Sequence, residues 1–211
     1  QKIVPTRLRQ ITINKKNQSE EFITYIDTNF NHGDMEMRNK SNSNKPKNLF
    51  LNNLRDYFFY LEKKLGKKIV LCLHPSSNKL EYQNKFKEFK IVKYKTEAYL
   101  LKSYLVLFTE SSIINLAILM NKKIIHLLTK NLGAYFYEKS KNYSKNFNFV
   151  THNLDKTRLP KNKSLINQLN LNVRNYQKSL NKLYFIGKKI NPVYDLIVYE
   201  INLLKKDKTN F

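Results

Sequence analysis

One cysteine, four glycines, five prolines and no tryptophan occur in 211 residues, and each shortage removes a class of protein. Cys72 stands alone inside an apolar run, so the chain can build neither a disulfide framework nor a thiolate metal cluster, and a reducing compartment is implied. Collagen-like and low-complexity chains are excluded as well, because they lack the Ile, Leu, Phe and Tyr that recur here in regular runs. No apolar stretch is long enough to span a bilayer. The chain opens at Gln1 with neither a Met nor a charged-then-apolar leader, from which we expect it to be cut from something longer and to act in the cytoplasm.

Acidic residues are scarce too. Sixteen Asp and Glu stand against 39 Lys and Arg, a formal charge of +23. A field of that size attracts phosphate polymers or an anionic membrane, and peripheral contact with the inner face of the membrane is one expectation. Only six of the 39 basic residues are arginine, however, and Lys, Asn and Ile are inflated together along the whole chain. That even spread is what an AT-rich coding bias produces. A dedicated nucleic-acid groove concentrates its basic residues among aromatics and favours arginine for bidentate contacts, so no specific nucleic-acid partner is expected.

What is present is core-forming material. An apolar content of 41% and an aromatic content of 13% suffice for one compact domain with a helical tail. Phe22 to Asp27 reads as a strand followed by a polar connection, Thr28 to Asn48. From Asn48 to Leu65, Phe50, Leu54, Tyr57, Phe58, Leu61 and Leu65 recur at three- and four-residue spacing before Gly66, which predicts a helix. Ile69 to Leu73 is an unbroken apolar strand ended by His74-Pro75. A strand over Ile91 to Tyr94, a helix over Thr96 to Ser103 capped by Thr96, a strand over Leu105 to Phe108, a helix over Ser112 to Met120 and a strand over Ile124 to Leu128 follow. Phe147 to Val150 reads as the last strand, and helices over Lys163 to Tyr184 and from Asn191-Pro192 to Leu204 close the chain. Strict alternation of strand and helix predicts a parallel, Rossmann-like α/β sheet with C-terminal helices. The boundaries are 1–21 for a linker or the end of a preceding domain, 22–160 for the ligand-binding domain and 161–211 for helices packing on it.

In such a sheet, ligands sit at the carboxyl ends of the strands. Three polar clusters fall there: Asp27 with its loop, including Asn29; His74-Pro75-Ser76-Ser77; and Thr109-Glu110-Ser111-Ser112. Two hydroxyls at the start of a helix add donors to free backbone N–H groups and a positive helix end, which suits a phosphate; capping alone would explain one of them. His74 can donate to a phosphate or protonate a departing one, or can be a solvated loop histidine. Glu110 fits a ribose contact or a helix-start carboxylate. His126, within an apolar strand, reads as a satisfied core histidine. His152 is placed near the border of the site, and Tyr135-Phe136-Tyr137 can stack on a base or sugar or simply pack.

The run Leu71-Cys72-Leu73-His74-Pro75, together with Leu105 to Ala117 and its Thr109-Glu110-Ser111-Ser112 and Lys122 to Ile125, resembles the C-terminal half of GT-B transferases of bacterial surface polysaccharide synthesis. Sialyltransferases and polysialyltransferases carry such His-Pro and Ser-Ser motifs, and capsule and CDP-glycerol polymerases carry related ones. The likeness spans roughly Phe22 to Val150 in element order, and the two short motifs are its specific part. It implies that His74 meets the donor phosphate and assists its departure, that Ser111 and Ser112 bind that phosphate with Thr109, Glu110, Pro75 and Ser76 around it, and that neither metal nor other cofactor is needed. It implies as partners a nucleotide-sugar donor (a CMP-sugar first), a glycan acceptor and an N-terminal GT-B domain. The acidic pair followed by glycine that supplies a base in the sialyltransferase families has no counterpart here; Asp27 and His32-Gly33-Asp34 do not match it, so the base is expected off this chain. The rival readings are a nucleotide-sugar epimerase of the same architecture, a basic nucleic-acid-binding module, and a non-catalytic domain that organises partners.

Overall fold

A computed structural model describes residues 21–28 and 44–155, with 167 and 169. Six strands form one sheet: β1 (Phe22–Ile26), β2 (Ile69–Leu73), β3 (Lys90–Lys93), β4 (Ser103–Phe108), β5 (Lys123–Leu128) and β6 (Val150–Asn153). Between them lie α1 (Asn44–Leu65), α2 (Lys79–Lys85), α3 (Thr96–Lys102), α4 (Ile114–Leu119) and α5 (Ala134–Phe147). Every pairing is parallel and the spatial order is β3-β2-β1-β4-β5-β6, the doubly wound arrangement of a Rossmann-like α/β fold.

The winding explains the sequence pattern. Strand order runs outward one way from β1 through β2 to β3 and the other way from β4 to β6. With right-handed crossovers, a reversal of direction moves the helices to the opposite face. The core divides accordingly. Phe50, Leu54, Tyr57, Phe58 and Leu61 of α1 and Tyr82 of α2 pack on one face with Ile23, Leu71 and Leu107. Leu100 of α3, Ile114, Ala117 and Ile118 of α4 and Phe147 of α5 pack on the other with Ile26, Val106 and Phe108. Covered on both sides, β2 is buried at all five positions, so its sequence is a continuous apolar run without alternation.

The clamp on the first face is α1. Phe58 lies at its centre, with the rings of Tyr25, Phe86 and Phe89 at 5.3 to 5.8 Å in edge or tilted arrangements. Gly66 ends α1 in the left-handed region (φ 63°), where a residue without Cβ is unstrained, and its N–H closes the last turn on the Glu62 carbonyl.

Three local expectations are corrected. Lys95, not Thr96, occupies the N-cap of α3 and makes no side-chain cap bond, because its ammonium offers no acceptor to the helix N–H groups, and Thr96 already lies inside the helix. Helix α4 starts at Ile114, after Ile113 as an uncapped N-cap, so neither Ser111 nor Ser112 caps it. Phe147 ends α5 and does not begin the last strand: Phe136, Ser140, Ser144 and Phe147 form one buried helical stripe, Asn148 stops it in the left-handed conformation, and β6 runs Val150–Asn153. The predicted linker before Glu21, Asn29, the His32-Gly33-Asp34 turn and the C-terminal helices lie outside the described residues, apart from Asn167 and Leu169, which are helical, with Leu169 buried in the first core cluster. Among the described residues no helix is long and apolar enough to cross a membrane.

Candidate functional site

Strand order reverses between β1 and β4, and in an open parallel sheet the crevice beyond that point receives the ligand. The register aligns Ile26 with Cys72 on one side and Phe108 on the other. Asp27, His74 and Thr109 therefore leave the sheet along the same edge. Strand spacing puts the ends of β2 and β4 about 10 Å apart across β1. All three polar clusters expected from sequence share that edge.

Asp27 is the buried centre, with 2% of its surface exposed. Its Oδ2 accepts the His74 backbone N–H at 3.1 Å and the Ser77 hydroxyl at 2.6 Å, and its Oδ1 accepts the Tyr82 hydroxyl at 2.5 Å. Burial pushes the carboxyl up to about 6; the Ser77 and Tyr82 hydroxyls and the His74 N–H pull the other way. The acid expected as a loop contact is thus a bracket, fixing the turn after β2 and the start of α2 from the end of β1. Tyr82 went unrecognised in the sequence; the signal available was the need of any carboxylate buried at a strand end for donors from neighbouring elements.

Within the turn, the Ser76 N–H donates to His74 Nδ1 at 3.1 Å. An accepting Nδ1 places the proton of the neutral ring on Nε2. His74 is half-buried, while Pro75 and Ser76 are exposed. This short loop supplies a histidine with a defined tautomer, the requirement for a directed N–H donor.

On the β4 side, Thr109 is buried and its hydroxyl bonds to that of Thr28. The Thr28 hydroxyl donates to the Glu110 carbonyl at 2.8 Å and accepts the Glu110 N–H at 3.1 Å, so β1 braces the loop after β4. Thr109 is consequently a brace whose hydroxyl is used within the protein. The Glu110 carboxylate pairs with Lys139 of α5 at 2.6 Å, a contact that neither a ribose nor a helix-dipole role anticipated. Ser111 is half-buried and Ser112 exposed; their carbonyls accept the N–H groups of Ile114 and Asn115, and no hydrogen bond among the described residues engages either hydroxyl.

No family model, curated protein or solved structure matches this chain.

Beneath the edge, the Tyr25 hydroxyl is buried near Thr28 and Thr109 without a hydrogen-bond partner among the described residues, and burial, with the nearby Asp27 charge, holds its proton firmly. His126 corrects the picture of a satisfied core histidine. Its Nε2 meets the Thr109 carbonyl at 3.1 Å and the Ser140 hydroxyl at 2.6 Å, but its Nδ1 has no partner among the described residues, since the Phe108 and Phe149 rings lie beside it. Burial lowers it to about 4, so it is neutral. His152 lies on the outer strand β6, bonded through Nδ1 to the Tyr57 hydroxyl of α1 at 2.5 Å, two strands beyond β4 and not at the border of the site. In α5, Phe136 is buried, Tyr137 partly so and Tyr135 exposed, so the trio does not form one stacking face. Among the described residues no cluster of three or more His, Cys, Asp or Glu could hold a metal ion.

Proposed function

We propose that this chain is the donor-binding domain of a GT-B glycosyltransferase, taking a nucleotide-activated sugar, a CMP-sugar first, for transfer to a surface glycan. The observation that carries the reading is the placement of His74 and the Ser111-Ser112 loop on either side of the β1 end, at the reversal of strand order. A phosphate over β1 would be within reach of both. In this reading the Nε2–H of His74 donates a hydrogen bond to the phosphate and stabilises the charge that gathers on it as the sugar departs, and the two serine hydroxyls hold it. The acceptor and the base that activates its hydroxyl belong to an opposing domain. The enzyme works in the cytoplasm, and its basic surface keeps it near the anionic inner face of the membrane.

Calorimetric titration with CMP, CDP and UDP tests the reading, at moderate salt where attraction to the +23 surface is screened. The expected result is binding that weakens about tenfold in a Ser111→Ala, Ser112→Ala double variant. If the double variant binds every nucleotide as well as the parent, only a basic surface is at work and the proposal fails.

A further inference from the structure

Three non-glycine residues among those described have a left-handed backbone: Tyr94, Asn121 and Asn148. The two asparagines stand just past helix ends, where the conformation is common and asparagine tolerates it. Tyr94 is different. It directly follows β3, a bulky residue at φ 62°, where such backbone is disfavoured, and 72% of its surface is exposed. The ring is nevertheless fixed. Its hydroxyl donates to the Pro75 carbonyl at 3.4 Å, and Lys93 Nζ stands 5.4 Å from the ring centroid while donating to the Ser77 carbonyl at 3.1 Å. Both tethers end on the turn that carries His74.

A strained, exposed aromatic tied to the candidate site calls for an occupant, and its surroundings select one. Lys93, Lys95, Pro75 and Ser76 surround the ring or lie near it in sequence, so it does not belong to a contiguous apolar patch of the kind that docks a protein. A single ring amid polar groups suits a planar π-system, and every nucleobase presents one. The span agrees. Two strand intervals, about 10 Å, separate the end of β3 from the end of β1, a distance that a nucleoside with its phosphate bridges.

We propose that Tyr94 is the platform on which the base of the donor nucleotide stacks, with Lys93 at the end of β3, anchored on the Ser77 carbonyl of the turn after β2, holding the ring in place. The proposal rests on the donor-binding reading above and adds where the base lies. The test compares cytidine and uridine monophosphate with ribose 5-phosphate, which keeps the phosphate and lacks the base. The parent should prefer the nucleotides by about tenfold, Tyr94→Phe should keep that preference, and Tyr94→Gly should lose it while binding ribose 5-phosphate unchanged. Glycine suits φ 62° better than tyrosine, so this variant is expected to fold, and thermal unfolding would verify it. A preference that survives in Tyr94→Gly, or equal weakening of all three ligands, overturns the platform and leaves the phosphate site standing. A parent that binds ribose 5-phosphate as tightly as the nucleotides does the same. A parent that binds none of the three overturns the donor-binding reading and the platform with it.

Discussion

The Asp27 carboxylate at the end of β1 accepts the backbone N–H of His74 at the end of β2, at 3.1 Å. Together with Ser77 and Tyr82 it receives three donors, which is how a buried acid holds a loop on a neighbouring strand.

Replacement of Asp27 should therefore depend sharply on the substitute. Asparagine can offer its oxygen to the His74 N–H and the Ser77 hydroxyl and its NH2 to the Tyr82 oxygen, while removing a charge that burial penalises. Asp27→Asn is expected to be neutral or mildly stabilising at pH 7. Alanine leaves three buried or half-buried donors without an acceptor, at about 1 to 3 kcal/mol each, so Asp27→Ala should cost 3 kcal/mol or more. Urea unfolding at pH 7 distinguishes the two; equal losses would mean that the carboxylate does not act as the bracket.

Acid should unfold the protein through its histidines. Burial lowers His126 and His152 from 6.5 to about 4. Unfolded, they take up protons near 6.5, so their contribution is complete above that pH and is lost as pH falls toward 4, about 3 kcal/mol for each. Asp27 opposes them. Raised from 3.8 to about 6, it binds its proton in the folded state first, so it adds stability as pH falls from about 6 toward 4, again about 3 kcal/mol. Two histidines outweigh one carboxyl. The expected net loss is about 3 kcal/mol between pH 7 and pH 4, with the Asp27→Asn variant losing more than the parent. Unfolding midpoints that stay flat or rise on acidification would contradict it.

Why the fold could be read from sequence while part of the site could not is a matter of range. The apolar run Ile69 to Leu73 and the spacing of Phe50, Leu54, Tyr57, Phe58 and Leu61 are local consequences of burial on a strand with both faces covered and on one helix stripe, and they place β2 and α1 to within a few residues. Parallel pairing follows from alternation. The brackets Asp27–Tyr82 and Thr28–Thr109, by contrast, join residues 55 and 81 positions apart, and no periodicity announces them. The start of α4 differs from the sequence expectation because Ser111 and Ser112 are good capping residues in isolation; the Thr28 contacts to Glu110 fix the preceding loop, and the helix begins beyond both serines. Tyr94 reads in the sequence only as the end of a strand, since a left-handed backbone at tyrosine has no sequence signature.

Cys72 should behave as an inert core residue. It is 1% exposed, and burial, with Glu97 adding to it against the Thr96 hydroxyl, pushes the thiol up to about 12. The thiolate is then essentially absent at pH 8. Alkylation by iodoacetamide is expected only through global opening, so its rate should follow unfolding stability and rise about tenfold for each 1.4 kcal/mol of added destabilisation. Fast labelling of the native protein would show that β2 is accessible from outside.

The last prediction concerns the brace across the reversal of strand order. Because a hydroxyl carries one proton and Thr28 spends its own on the Glu110 carbonyl, Thr109 must donate to Thr28, and the Glu110 N–H adds a second donor to the same oxygen. Thr28→Val keeps the shape but leaves the Thr109 hydroxyl and both backbone groups of Glu110 without this partner, whereas Thr109→Val deletes one donor and leaves Thr28 bonded to Glu110. With about 1 kcal/mol for each hydrogen bond lost, Thr28→Val should destabilise by about 2 to 3 kcal/mol and Thr109→Val by about 1 kcal/mol. In the double variant the losses should fall short of their sum, because both single changes remove the same Thr28–Thr109 bond. Glu110 is joined directly to Ser111, so loosening its peptide should also weaken nucleotide binding in Thr28→Val but not in Thr109→Val. Urea unfolding and calorimetric titration on the three variants check this. Equal destabilisation by the two single changes would show that the Glu110 contacts contribute nothing, and nucleotide binding unaffected by Thr28→Val would separate the brace from the serine loop it precedes.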